Sequence, residues 1–360
     1  MESPDTESRL SCSNISSSLR SSQLSSIRII SRIKKTAPFL LGIGLLTWLA
    51  VSSGISSILA DLSRVGPGLI VILVLEFVID AFNTLGWWFT LPVAERRGNY
   101  RLLFLVRCAG SALNESTPAA SVGGEPAKVV LLRGRISMSA ATASLLAEKV
   151  TFCFSTMVCI VVGMAAIWPR LDLPRELSLA LLSGFILMMF GVGTFAVLQL
   201  RGIGAGMVKV LKRLRVPDRW LMPIESSSHA VDAHLKDFYW ARTADLIRSV
   251  GAHMCGFVCG VFEILLMLNW LGLGFDPAAA LGIEAFSMLV SFVAFAVPAS
   301  LGIQEGGKVL IFWSLGLPRS AAMAVGISFR LTFLCKIALG LVIFVLLQHR
   351  SANLPEPTNC

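Results

Sequence analysis

Apolar stretches recur along the chain at 37–60, 67–91, 138–167, 177–200, 246–271 and 320–348, separated by short runs rich in Arg, Lys, Gly and Pro. A helix needs ~20 predominantly apolar residues to cross the hydrocarbon core of a bilayer, and each stretch reaches that length. The first is longer than the apolar core of a signal peptide and reads as a retained anchor. Two further apolar stretches are interrupted. Between 101 and 133 the pattern breaks at Asn114-Glu-Ser-Thr-Pro118 and again at Gly123-Gly124, and neither arm approaches crossing length. Between 277 and 317 it breaks at Pro298 and Gly302, which leaves open whether 277–298 is a full span or a hairpin arm. The pattern predicts an all-α polytopic membrane protein with about six full spans plus two broken, re-entrant hairpins.

The two breaks share one motif. Pro118-Ala-Ala-Ser-Val-Gly-Gly-Glu125-Pro-Ala-Lys128 and Pro298-Ala-Ser-Leu-Gly-Ile-Gln-Glu305-Gly-Gly-Lys308 place Pro, Glu and Lys at identical spacing, 180 residues apart. The same offset maps 67–91 onto 247–271 and 138–167 onto 318–347. Paired interrupted segments in two halves of a membrane protein point to a transporter's binding site. Charge then sets the orientation. With the N-terminus inside, 21 Lys and Arg fall in cytosolic segments, 4 in external loops and 6 in the membrane, together the 31 of the chain. By the positive-inside rule both termini are cytosolic. The first hairpin then enters from the cytosol and the second from outside, so the repeats 67–167 and 247–347 are inverted.

Composition changes the picture little. The chain is 55% hydrophobic and 15% charged, with mean hydropathy +0.74. A soluble domain could not bury that much apolar surface. A net charge of +9 in a soluble protein points to nucleic acid; here the cations sit in loops, and positive-inside bias accounts for them. There is no Cys-x-x-Cys, and the histidines do not join the cysteines at zinc spacing, so no disulfide, metal or cofactor is expected. Walker, Gly-x-Ser-x-Gly and His-Glu-x-x-His motifs are absent too, and no catalytic residue is assigned. Residues 1–35 form a Ser-rich polar tail, read as disordered and cytosolic, and 350–360 a short cytosolic tail. Between them 36–349 is the membrane domain. Its basic cytosolic linker, 201–245, is either an amphipathic stretch on anionic headgroups or a plain loop.

A helix broken at membrane depth frees backbone amides that protein, water or ligand must satisfy. Gly123-Gly124 and Gly302 permit tight turns, and the helices beginning near Glu125 and Glu305 aim their positive ends into the hairpins. Helix starts favour anions, and Lys128 and Lys308 add positive charge one turn on. Pro118, Gly123, Gly124, Glu125, Lys128, Pro298, Gly302, Glu305, Lys308, Arg330 and Lys336 therefore form the candidate substrate-binding set. The cations would hold a headgroup, and Glu125 and Glu305 would shape or gate the site. A plainer possibility is that each Glu caps its own helix and pairs with its own Lys at i, i+3. Other ionisable residues also fall within apolar sequence: Glu76, Asp80, Arg107, Glu115, Glu148, Lys149, Glu263 and Glu284. A central charge costs ~2.5–3.5 kcal/mol, so these should face the bundle and pair. Glu76 and Asp80 are either proton-coupling groups or partners of Arg330, Lys336 or Lys149.

The pattern Thr117-Pro118-x₄-Gly123-Gly124-Glu125, followed by Val297-Pro298-x₃-Gly302-x₂-Glu305, resembles the flippase-like transmembrane family of lysylphosphatidylglycerol synthases. Within it, Val297–Gly307 looks most like the hopanoid-biosynthesis-associated membrane proteins. The resemblance covers about 37–349. It implies a multi-pass protein of the bacterial inner membrane that moves a lipid between leaflets, an anionic phospholipid or a hopanoid-type lipid. Members with a known cargo carry an aminoacyl-transferase domain after the membrane part. Only eleven residues follow His349 here, so lipid aminoacylation is not expected. The alternative is a subunit or enzyme of polyprenyl-linked glycolipid or envelope-lipid synthesis without transport. Expected partners are membrane lipid and envelope-lipid biosynthesis enzymes, with no nucleic acid.

Overall fold

A computed structural model describes residues 51, 55–116, 124–171, 174–213, 218–293 and 302–352, and every element among them is helical. Helix α1 (Ile55–Val65) leads into α2 (Gly68–Thr90), and a single turn, Val93–Arg96, precedes α3 (Tyr100–Ser116). Then come α4 (Gly124–Leu131), α5 (Met138–Ile167, prolonged by the 3₁₀ turn Trp168–Arg170) and α6 (Arg175–Leu200). Next are α7 (Ile203–Arg213), α8 (Asp218–Lys236) and α9 (Thr243–Trp270). The described chain closes with α10 (Pro277–Val293), α11 (Ile303–Ser314) and α12 (Arg319–Ala352). Pro67 and Pro174 stand immediately before α2 and α6. A residue without an N–H loses nothing there, because the first amides of a helix have no partner within it.

Among the described residues five helices, α2, α5, α6, α9 and α12, are long and apolar enough to cross a membrane. The protein is therefore a multi-pass membrane protein. The expected anchor at 37–60 lies mostly outside the described residues, as do the tails 1–35 and 353–360 and the breaks at 117–123 and 294–301. Helix α10 covers Pro277–Val293 of the stretch 277–298, and 294–298 lie outside the described residues.

The bundle is centred on α2 and α9, which pack antiparallel along their lengths. Small residues let them approach closely. A Cβ on Gly68 would overlap the Trp270 ring, and one on Gly86 would overlap the His253 ring. Around this pair the packing is reciprocal: α3 lies on α12 and α10 on α5. One apolar cluster, with Ile72, Ile264, Phe286 and Phe312, gathers where α2, α9, α10, α11 and α12 meet. Another, around Trp87, Leu103, Leu132 and Leu145, joins α2 to α3, α5 and the end of α4. Helix α6 buries little beyond Met188 and Gln199 and presents Leu187 and Phe190 outward, as a lipid-facing span does.

The stretch 201–245 carries α7 and α8, and a π-helical turn, Asp237–Ala241, leads on toward α9. Asp232 of α8 accepts hydrogen bonds from the Gly204 and Ala205 amides, 2.9 Å each, and so caps the start of α7. Val231 and Leu235 then seat α8 on Ala143 and Ala147 of α5. At the same end of the bundle Arg96 binds Asp245 at 2.6 Å and donates to the Leu91 carbonyl. Arg242 donates to Thr90 and Leu91. These cations satisfy the carbonyls that α2 leaves free at its C-terminus and tie it to the start of α9.

Candidate functional site

The first hairpin closes on itself through Asn114. Its Oδ1 accepts from the Gly124 amide at 2.6 Å and its Nδ2 donates to Glu125 Oε1 at 3.2 Å. Gly124 is needed for proximity: a Cβ there would overlap the Gly110 carbonyl oxygen and stand 2.6 Å from Asn114 Oδ1. Lys128, 4% exposed, lays its stem across Gly110 of α3. In the second hairpin Gly302 takes φ 77°, a left-handed conformation that favours glycine. Its amide donates to Glu305 Oε2 at 2.9 Å, so Glu305 reaches back over its own helix start. Pro118, Gly123 and Pro298 lie outside the described residues.

The charged residues form a chain. Glu125 Oε1 accepts from Lys128 Nζ at 2.9 Å and pairs with Lys149 Nζ at 3.0 Å. Lys149 lies 3.7 Å from Glu148 Oε2, and Glu148 Oε1 binds Arg107 at 2.9 Å. Arg107 stands 3.9 Å from Asp80. Lys336 then bridges Asp80 and Glu76, 2.8 Å to each. Four carboxylates alternate with four cations from the first hairpin, through α5, α3 and α2, to α12. A separate pair joins Glu305 to Arg330 of α12, at 2.6 Å. Lys308 has no carboxylate at ion-pair distance among the described residues and instead stands 5.4 Å from the centre of the Phe329 ring.

Of the residues marked from sequence, the structure joins Glu125 with Lys128, Glu305 with Arg330, and Lys336 with Glu76 and Asp80. The plainer expectation holds for Glu125, which pairs with its own Lys, and for the Glu305 cap. It does not hold for a Glu305–Lys308 pair. Sequence reasoning overlooked Asn114 as the latch of the first hairpin, and the buried contact of Asn83 Oδ1 with His253 Nδ1 at 2.8 Å. An amide or imidazole inside an apolar window was the available signal. An apolar cleft lined by Val74, Phe77, Val78, Ala81 and Leu85 also opens on α2. At 100° per residue it lies on the side opposite Glu76 and Asp80, so it does not reach the ion pairs.

Outside the spans, Asp276 caps α10 by accepting from the Ala279 amide at 3.0 Å and binds Arg170 at 2.6 Å. The amide, foremost, and the guanidinium hold its carboxyl below the usual range, against opposing desolvation.

Comparison with known proteins agrees with this architecture. The model of the family described as "Lysylphosphatidylglycerol synthase TM region" matches residues 36–340. A "UPF0104 membrane protein" of Methanothermobacter thermautotrophicus is 22% identical over 301 residues, which cover 77% of this chain and 88% of that protein. No solved structure matches. The matched segment takes in every described helix from α1 to α11 and most of α12, and on that extent the chain belongs to the lysylphosphatidylglycerol synthase transmembrane-region family.

Proposed function

We propose that the protein binds the headgroup of an anionic lipid between its two hairpins and passes it from one leaflet to the other. The carrying observation is that each hairpin glutamate docks on a cation of the span that follows it. Lys149 comes 24 residues after Glu125, and Arg330 comes 25 after Glu305. A lipid phosphate offers these cations what the carboxylates offer, and a guanidinium accepts phosphate in a two-point fork. An incoming headgroup can therefore exchange with the internal carboxylates, and the released glutamates become the moving parts. Lys308, with no carboxylate at ion-pair distance among the described residues, is the first point of attraction.

The matched docking supports an inverted repeat, as does the reciprocal packing of α3 and α10, each on the other half's last span. In such an architecture two related halves rock about a central site. An uncharged hopanoid lacks the group for which these cations compete, so an anionic phospholipid is the proposed cargo. Location in a bacterial inner membrane, with both termini cytosolic, belongs to the same reading.

The test uses purified protein in liposomes carrying labelled phosphatidylglycerol or phosphatidylcholine. Redistribution between leaflets should favour the anionic lipid and fall in folded Lys128→Ala and Lys308→Ala. Folded wild type that leaves both lipids in place would overturn the proposal. A new lipid product in mass spectra of the same liposomes would establish the biosynthetic alternative instead.

A further inference from the structure

The ion pairs leave a remainder. Glu76, Asp80, Glu125 and Glu148 match Lys128, Lys149, Arg107 and Lys336, and Glu305 matches Arg330. Apart from the exposed Glu115, the charged groups within the bundle then leave one cation, Lys308, against two carboxyls, Glu263 and Glu284. Neither has a cation at ion-pair distance among the described residues. Glu263 is 2% exposed, and its Oε1 has no hydrogen-bond partner.

These carboxyls are neighbours. A Cβ on Gly260, one turn before Glu263 on the same face of α9, would stand 2.8 Å from Glu284 Oε1. The register of α2 against α9 brings in two more acids. Gly68 meets Trp270 and Gly256 meets Asn83, which sets Glu76 opposite Glu263 and Asp80 opposite Gly260. Four carboxyls from α2, α9 and α10 thus converge, with Lys336 of α12 in contact with two of them.

An orphan carboxylate in this setting is relieved by a cation or by a proton. No three Asp, Glu, His or Cys side chains among the described residues converge as metal ligands, whereas a proton needs no such cage. We infer that Glu263 and Glu284 form a proton-binding site, with Glu263 the buried store and the partly exposed Glu284 its link to water. Cycling of that proton with lipid movement rests on the translocation reading; proton binding does not.

The surroundings of the pair are these. Glu76 and Asp80 of α2 are tied to Lys336, and Arg107 of α3 approaches Asp80. Lys308 of α11 interacts with Glu284. On α5, Glu148 and Lys149 pair with each other and with Arg107 and Glu125, toward the His253 end of α9. On α1, Asp61 pairs with its own Arg64.

The experiment is infrared difference spectroscopy on the full chain in phosphatidylcholine nanodiscs, stepping pH in H₂O and D₂O. Wild type should give a deuterium-sensitive carboxylic C=O band that is lost in Glu263→Gln and displaced in Glu284→Gln. Both are near-isosteric, and unchanged circular dichroism verifies their fold. A band unchanged in both variants would overturn the site. So would one abolished at constant pH by Na⁺ or Ca²⁺, in favour of a metal ion.

A second arm imposes a pH gradient on the liposomes. The gradient should change wild-type lipid redistribution by at least about five-fold and leave Glu263→Gln unaffected. A gradient without effect on a wild type that moves lipid would refute coupling. A wild type that moves no lipid would refute translocation, with the infrared result standing by itself.

Discussion

Arg330→Met removes the guanidinium from a Glu305 carboxylate whose side chain is 3% exposed. At 2.6 Å, with an effective dielectric near 20, the gross attraction is about 6 kcal/mol. Desolvation of both groups offsets much of it, and removing one partner of a buried pair typically costs ~3–5 kcal/mol. Glu305 keeps the Gly302 amide on its other oxygen, which places the expected loss at the lower end, ~3 kcal/mol, or about two decades in the folding equilibrium. The companion Glu305→Gln preserves the amide contact and removes the charge. The double variant Arg330→Met/Glu305→Gln should therefore recover to within ~1 kcal/mol of wild type. The assay is a double-mutant cycle in mild detergent, titrating a denaturing detergent and following tryptophan fluorescence and circular dichroism. A coupling energy below ~0.5 kcal/mol would mean that the two residues do not interact, and the docking of the second hairpin on α12 would be refuted.

Gly124→Ala should displace α4 from α3, because the added methyl meets the Gly110 carbonyl and Asn114 Oδ1. The expected cost is ~1–3 kcal/mol in the same unfolding assay, and an unchanged midpoint would show that the hairpin has slack there. Asp276→Ala should cost about 1 kcal/mol at neutral pH through the lost cap of α10, less if solvent screens the exposed Arg170 contact. Because the Asp276 pKa is lowered on folding, its contribution is fully present above the unfolded value and is lost as pH falls through the folded one. The gap between wild type and variant should thus close under acid, and one that stays constant with pH would contradict the assignment.

The sequence by itself determined the helical architecture, since runs of crossing length leave the backbone no other way to satisfy its hydrogen bonds in lipid. It also located both hairpins, the glycine that takes a left-handed turn at 302, and the charged residues in apolar surroundings. It reached the Glu125–Lys128 pair as well, because residues three apart on a helix are neighbours whatever else the chain does.

Tertiary packing alone decided the remaining partners. Lys336 meets Glu76 across 260 residues of chain, and Glu305 takes Arg330 in preference to the nearby Lys308. Helical periodicity states which face of its own helix a residue occupies; it does not state which neighbour that face will meet, or at what register. For the same reason the sequence left Glu76 and Asp80 as either proton-coupling groups or partners of Arg330, Lys336 or Lys149, and only the packing of α12 on α2 put Lys336 on both.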